Sequence, residues 1–181
     1  MSQSLDDIIC YKKNYGNDNI YYKEIIKKKL INNHNLILAI DNTELDPDSP
    51  DDYLGINIFP YYFLSDKTQT TAQNYICFET SFTEVYRYNQ LIKQGQIIFY
   101  ILADIRNILD NKTGISRHDL IAALIEDEFN WCTDFGTRLK LVSDKPYAVD
   151  NNYVLRTLTF EQDALNGIVD VKTQSIINND R

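Results

Sequence analysis

The chain has 181 residues, close to one domain at about 150 residues each, and a chain of this size can bury a core without disulfides or metals. Its 18 Lys and Arg stand against 26 Asp and Glu, a net charge of −8, which argues against coating a nucleic acid, because neutralising phosphates takes a basic face. At 44% hydrophobic and 24% charged residues it reads as one soluble, acidic, globular domain, with no apolar run near the ~18 residues of a membrane span and no signal-peptide pattern in its opening MSQSLDDIIC.

In chain order, Leu5 to Cys10 is a short amphipathic stretch, and Gly16 to Asn19 reads as a turn; together residues 1–19 form an arm or short helix. From Ile20 to Ile31, Tyr22, Ile25, Ile26 and Leu30 recur at helical spacing, with Lys27, Lys28 and Lys29 on the water side. Leu36 to Ile40 is apolar and too short for periodicity to separate strand from helical turn. Asp41 to Asp52 then carries six acids and no base. Pro47 and Pro50 interrupt it, and it lacks the central Gly and late Glu of a calcium loop, so it reads as a solvated turn-rich segment. Its charge makes Asp46, Asp48, Asp51 and Asp52 candidates for contact with a partner.

Strands follow. Ile56 to Leu64 is aromatic and branched, with Pro60 marking an edge or bend. Tyr75 to Phe82 alternates in part. Gln96 to Ile105 is the strongest strand, apolar on both sides at its centre, so both faces need cover. Ser116 stands at the N-cap of a helix with Asp119 three positions on, a variant capping box. Leu120, Ile121, Leu124, Ile125 and Phe129 form its apolar stripe. Leu139 to Val142 and Tyr153 to Phe160 read as closing strands. Residues 20–166 thus form a single α+β domain, with a mostly antiparallel mixed sheet and helices packed on one side. Residues 167–181 are a polar tail. Ile98, Tyr100 and Leu102 are expected to fill the core beside Leu120, Leu124 and Phe129.

Residues with catalytic or metal-binding chemistry are sparse. Cys10, Cys77 and Cys132 form neither a CxxC nor a disulfide grid and read as small buried hydrophobes. His34 and His118 lack partners at metal-ligand spacing. The six glycines never cluster, so no phosphate-cradling loop is written in the chain. No catalytic residue, cofactor or metal site is therefore expected. Arg117 and Arg156 are candidates for salt bridges between subunits.

The order of these pieces resembles the tail terminator and tail-completion proteins of tailed bacteriophages, the small connectors of neck and tail. The pieces are Asn57-Ile58-Phe59-Pro60-Tyr61, Thr68-Gln69-Thr70 before Tyr75-Ile76-Cys77-Phe78-Glu79, and Ile97-Ile98-Phe99-Tyr100-Ile101-Leu102. Ser116-Arg117-His118-Asp119-Leu120-Ile121, Leu139-Lys140-Leu141-Val142 and Arg156-Thr157-Leu158-Thr159-Phe160 complete the set. The resemblance implies a virion subunit, assembled in the bacterial cytoplasm, that closes into a ring with copies of itself, commonly a hexamer. Such a ring caps the tail tube, meets the head-side connector and lets the genome pass without specific binding. Two alternatives stand beside it. One is a small magnesium-dependent nuclease or hydrolase using Asp104 and Glu79; the other is a regulator that binds a protein.

Overall fold

The computed structural model describes residues 18–63, 71–85, 92–148 and 152–165. The expected N-terminal stretch Leu5 to Cys10 and the tail 167–181 lie outside them. Helix α1 (Asp18–Asn32) and helix α2 (His34–Ile40) come first, followed by a 3-10 turn at Pro50–Tyr53. Strands β1 (Ile58–Phe59), β2 (Tyr75–Val85) and β3 (Ile92–Asp104) precede helix α3 (Arg117–Phe129), and β4 (Lys140–Ala148) and β5 (Tyr153–Leu165) close the chain. The sheet order is β1-β2-β3-β5-β4, with β1 parallel to β2 and the other pairs antiparallel. This is an α+β fold on a five-stranded mixed sheet.

The main core fills one face of the sheet. Ile76, Phe78, Ile97, Phe99, Ile101, Leu158 and Phe160 pack there against Ile26, Leu30, Leu36, Ile37, Ile40, Ile121, Ile125 and Phe129 of the helices. The Phe99 ring lies 4.8 Å from Phe129 and meets Phe160 edge-on at 5.8 Å, a geometry that suits the ring quadrupoles. Of the expected core members of β3, Leu102 is fully buried, but in the smaller core on the face away from the helices, and Ile98 and Tyr100 are only partly buried. Ile98, Tyr100 and Leu102 point away from the helices, while their neighbours Ile97, Phe99 and Ile101 meet them. A strand apolar at every position hides which face is which, because alternation is the only signal of facing. Leu120 and Leu124 are only half-buried, and Ile121 and Ile125 carry the stripe instead.

Among the described residues, the opposite face is covered only at one end. Phe59, Tyr75, Cys77, Leu102 and Tyr153 are buried there under the segment that follows β1. Phe63 stacks on Phe59 at 4.4 Å, and Tyr62 meets Tyr100 edge-on at 5.0 Å. The nine-residue strand expected over Ile56 to Leu64 is thus corrected to two paired residues and an aromatic flap. Pro60 has no N–H to continue the ladder, and the aromatic side chains serve the flap.

Several boundaries shift. Asp18 and Asn19 begin α1 rather than belonging to a turn. Leu36 to Ile40 resolves as helix, capped by the Asn33 side chain, which accepts from Leu36 N at 3.1 Å. Ile105 leaves the strand for a 3-10 turn. Ser116 is the N-cap of α3, but its hydroxyl donates to the Asp119 carboxylate instead of accepting a backbone N–H. The final strands run well past Val142 and Phe160. Lys29 is not simply solvated either: it pairs with Glu128 at 2.9 Å and Asp134 at 2.7 Å, tying α1 to the end of α3.

Candidate functional site

The acidic segment divides in two. Asp41 ends α2 in a left-handed conformation, with φ 54°, accepts from Asn107 Nδ2 at 3.1 Å and pairs with Arg117 at 3.0 Å. Glu44 accepts from the Thr71 hydroxyl. Asp46, Asp48, Asp51 and Asp52 all stand exposed. Asp46 folds the loop by accepting from Asp48 N at 3.0 Å, an Asx turn. These four acids form a solvated patch of one sign.

Behind that patch lies a buried polar belt that joins the loop to the end of the sheet. Asn42 donates to Asn57 Oδ1 at 2.7 Å, Asn57 donates to Asn74 O at 2.8 Å, and Asn74 donates to Ile40 O at 2.8 Å. Asn74 Oδ1 accepts from Asp104 N at 3.0 Å. Asp104 is fully buried and takes the Arg106 guanidinium at 2.7 Å. Burial alone would raise its pKa, but the hydrogen bonds and charge of Arg106 outweigh this and hold it below the ordinary carboxylate value. Tyr53 is the belt's exception. Its ring is buried, its hydroxyl has no hydrogen-bond partner among the described residues, and burial with the charges of Asp46 and Asp41 raises its pKa.

Arg117, a candidate for a salt bridge between subunits, is placed by the structure inside the chain, where it completes this belt. It is 2% exposed and donates to Ala39 O at 2.9 Å and Asn107 O at 3.0 Å, with Asp41 as its ion partner. Arg156 is also engaged within the chain. It grips Asp144 through two nitrogens, at 2.6 and 2.8 Å, and bonds Asp119, so it clamps β5, β4 and the start of α3. His118 beside it has its pKa lowered by burial, with Asp119 pulling up and Arg156 pushing down. Its Nδ1 is buried and has no partner among the described residues.

The pair of carboxylates considered for magnesium does not meet. Glu79 pairs in register with Ile98, six residues from Asp104 along β3, or about 20 Å at a strand's rise. Glu79 accepts from Tyr62 N at 3.2 Å. Cys77 is buried in the flap-covered core, and its thiol is pushed up to about 11 by that burial, so it carries little thiolate. Cys10 lies outside the described residues. Among the described residues no group of three or more His, Cys, Asp or Glu could hold a metal, and no helix is long and apolar enough to cross a membrane.

The residues missed from sequence lie at the other end of the sheet. α3 ends at Asn130, whose side chain accepts from Leu141 N at 3.1 Å. Trp131 follows with φ 67°, in the left-handed region where a helix end usually places glycine. That conformation costs a residue with a Cβ about 1–2 kcal/mol. Two short backbone bonds hold it, Trp131 N to Leu139 O at 2.7 Å and Leu139 N to Cys132 O at 2.9 Å. The residue stays 57% exposed, with Lys140 Nζ 6.0 Å from its ring centroid. It borders a cavity of about 580 Å³ shared with Thr137, Arg138, Lys140, Glu161 and Gln162. On its other side a smaller groove of about 370 Å³ runs along α3 past Leu120, Ala123 and Leu124. Sequence offered one faint signal here: the chain's single Trp directly follows the helix end.

No curated protein matches the chain. A family model does match, over residues 2–162 and under the description YomW, which points to a phage-associated origin. The chain belongs to the YomW family.

Proposed function

We propose that the protein is a structural subunit of a bacteriophage particle, a tail-terminator-like ring component that caps the tail tube and joins it to the head connector. The observation that carries this reading is the one-sided cover of the sheet. Among the described residues, helices occupy one face, while the other is closed only under the aromatic flap and is bordered by the exposed edge strand β4, where Val142 and Tyr147 are about half exposed. A closed ring needs two different contact surfaces on each subunit, and the open face with its β4 border supplies one. The register shift at Leu141/Ser143 and Pro146 both interrupt β4, so contact there runs through side chains rather than through strand addition. The exposed acids Asp46, Asp48, Asp51 and Asp52 suit the channel side, where they would repel a passing genome.

Native mass spectrometry with negative-stain imaging, alone and with tail tubes from the same phage, tests the proposal. Rings of hexamer mass or capped tube ends are expected. A monomer that ignores both tube and connector would overturn it, as would a stable one-to-one complex with a soluble partner and no ring.

A further inference from the structure

We propose that copies of this chain join head to tail, the turn from Leu109 to Ile115 of one copy seating in the α3 groove of the next. The inference rests on the ring reading and supplies the second contact surface that a ring requires. The turn is a braced knob before α3. A bridge joins Leu109 to Ser116, and Asp110 N donates to Ile115 O at 2.9 Å. Inside it the Asp110 carboxylate accepts from Thr113 N and Thr113 Oγ1, both at 2.7 Å. Such a turn holds its shape before contact, so little entropy is lost on binding. Yet Leu109 is 59% and Ile115 48% exposed, and Lys112 between them is exposed too. Two aliphatic side chains left largely in water on a rigid turn are what a contact surface presents.

The groove of about 370 Å³ offers the complement. Half-buried Leu120 and Leu124, exposed Ala123 and Trp131 give it an apolar lining, and its two charged residues, Glu126 and Asp127, are both acidic. Neither carboxylate has an ion pair among the described residues, whereas the neighbouring Glu128 is taken by Lys29. The side chain of Asn130 is occupied by Leu141 N. What remains open is therefore apolar or negative, and it calls for an apolar partner that carries a cation. Leu109, Lys112 and Ile115 are that set. None of them lines the groove of its own chain, and α3 separates the knob from Trp131 by about 20 Å at a helix's rise. Burial of the aliphatic pair supplies the attraction, while Lys112 against Glu126 and Asp127 fixes the register. Each added copy leaves one knob and one groove open, so growth stops only when the circle closes.

Cysteine cross-linking with native mass spectrometry tests the contact, on the protein alone and on tail tubes. Ile115→Cys copies mixed with Ala123→Cys copies should oxidise to a dimer that neither variant gives alone beyond the background of the parent's own cysteines. The chain carrying both changes should yield a ladder of cross-linked species. Ala123 and Lys112 are exposed, so Ala123→Glu and Lys112→Glu should keep the parent's thermal midpoint while each cuts the ring population about tenfold. Combining Lys112→Glu with Glu126→Lys and Asp127→Lys should restore the rings. Absence of the mixed cross-link overturns the inference. Rings that persist in Ala123→Glu and Lys112→Glu overturn it as well, and the ring reading then stands without it. If those variants keep their rings but no longer cap tubes, the groove takes the tube rather than a second copy, and the inference falls. A parent that stays monomeric alone and on tubes removes both readings.

Discussion

Near the Asp104 end of the sheet, buried Asn42, Asn57, Asn74, Asp104 and Arg117 find their partners inside the chain. Some ten residues back along β3, about 30 Å away at a strand's rise, Trp131 is more than half exposed and the buried Gln162 has no partner for its Oε1 among the described residues. Both ends are polar, yet their physics differs. Where every donor meets an acceptor, a polar cluster fixes the fold and has nothing left to offer a ligand. Where groups are left over, the chain holds a shape whose contacts are incomplete. The charged residues most conspicuous in the sequence, Arg117 and Asp104, belong to the first kind.

Mutations should separate the two ends. The largest effect is expected from Arg117→Met, which strands Ala39 O, Asn107 and Asp41 and should lower stability by about 3–5 kcal/mol; a urea-midpoint change equivalent to less than 1 kcal/mol would break the contrast. Trp131→Gly should leave stability unchanged or raise it by up to about 1 kcal/mol, since it relieves the left-handed strain. A clear drop in melting temperature would mean the ring is part of the fold after all. Tyr53→Phe tests the one exception in the closed belt. Removing a buried hydroxyl that bonds nothing should be neutral or stabilising by under ~1 kcal/mol, and a loss on thermal melting would reveal a partner for Tyr53.

The smallest effect concerns pH at the Arg156 clamp. His118 has a folded pKa below its ordinary 6.5, so the unfolded chain binds more protons between the two values, and stability rises with pH across that window. The contribution is present above 6.5 and fades as pH falls toward the folded value. Urea midpoints measured between about pH 7 and pH 5 should therefore decline more steeply in the parent than in His118→Gln. Parallel slopes would remove His118 as the cause.

What the sequence disclosed follows from the same contrast. Helical spacing over Ile20 to Ile31 and the N-cap at Ser116 were legible because local geometry writes them directly into residue order. The facing of β3 was not, since QIIFYILADI is apolar on both parities. β4 extends past Val142 without a sequence signal, because an edge strand such as Ser143-Asp144-Lys145-Pro146 carries no alternation to betray it. Arg117 looked like a surface charge because its partners Ala39, Asp41 and Asn107 come from segments that only folding brings together. Trp131 was marked only by its being the single Trp after a helix end: a left-handed dihedral and an open cavity are facts of three dimensions.

The place of β5 in the sheet has a kinetic consequence. It lies between β3 and β4, and its ladder with β3 joins Asp104 to Tyr153 at one end and Ile92 to Leu165 at the other. The central pairing must therefore close loops of some fifty to seventy residues before hydrogen bonds repay the lost chain entropy. A sheet in which an interior strand is made last is expected to fold more slowly than a bundle built from local contacts. Until β5 arrives, β3 keeps an open apolar edge, and the newly made chain is most exposed to wrong pairing during that interval.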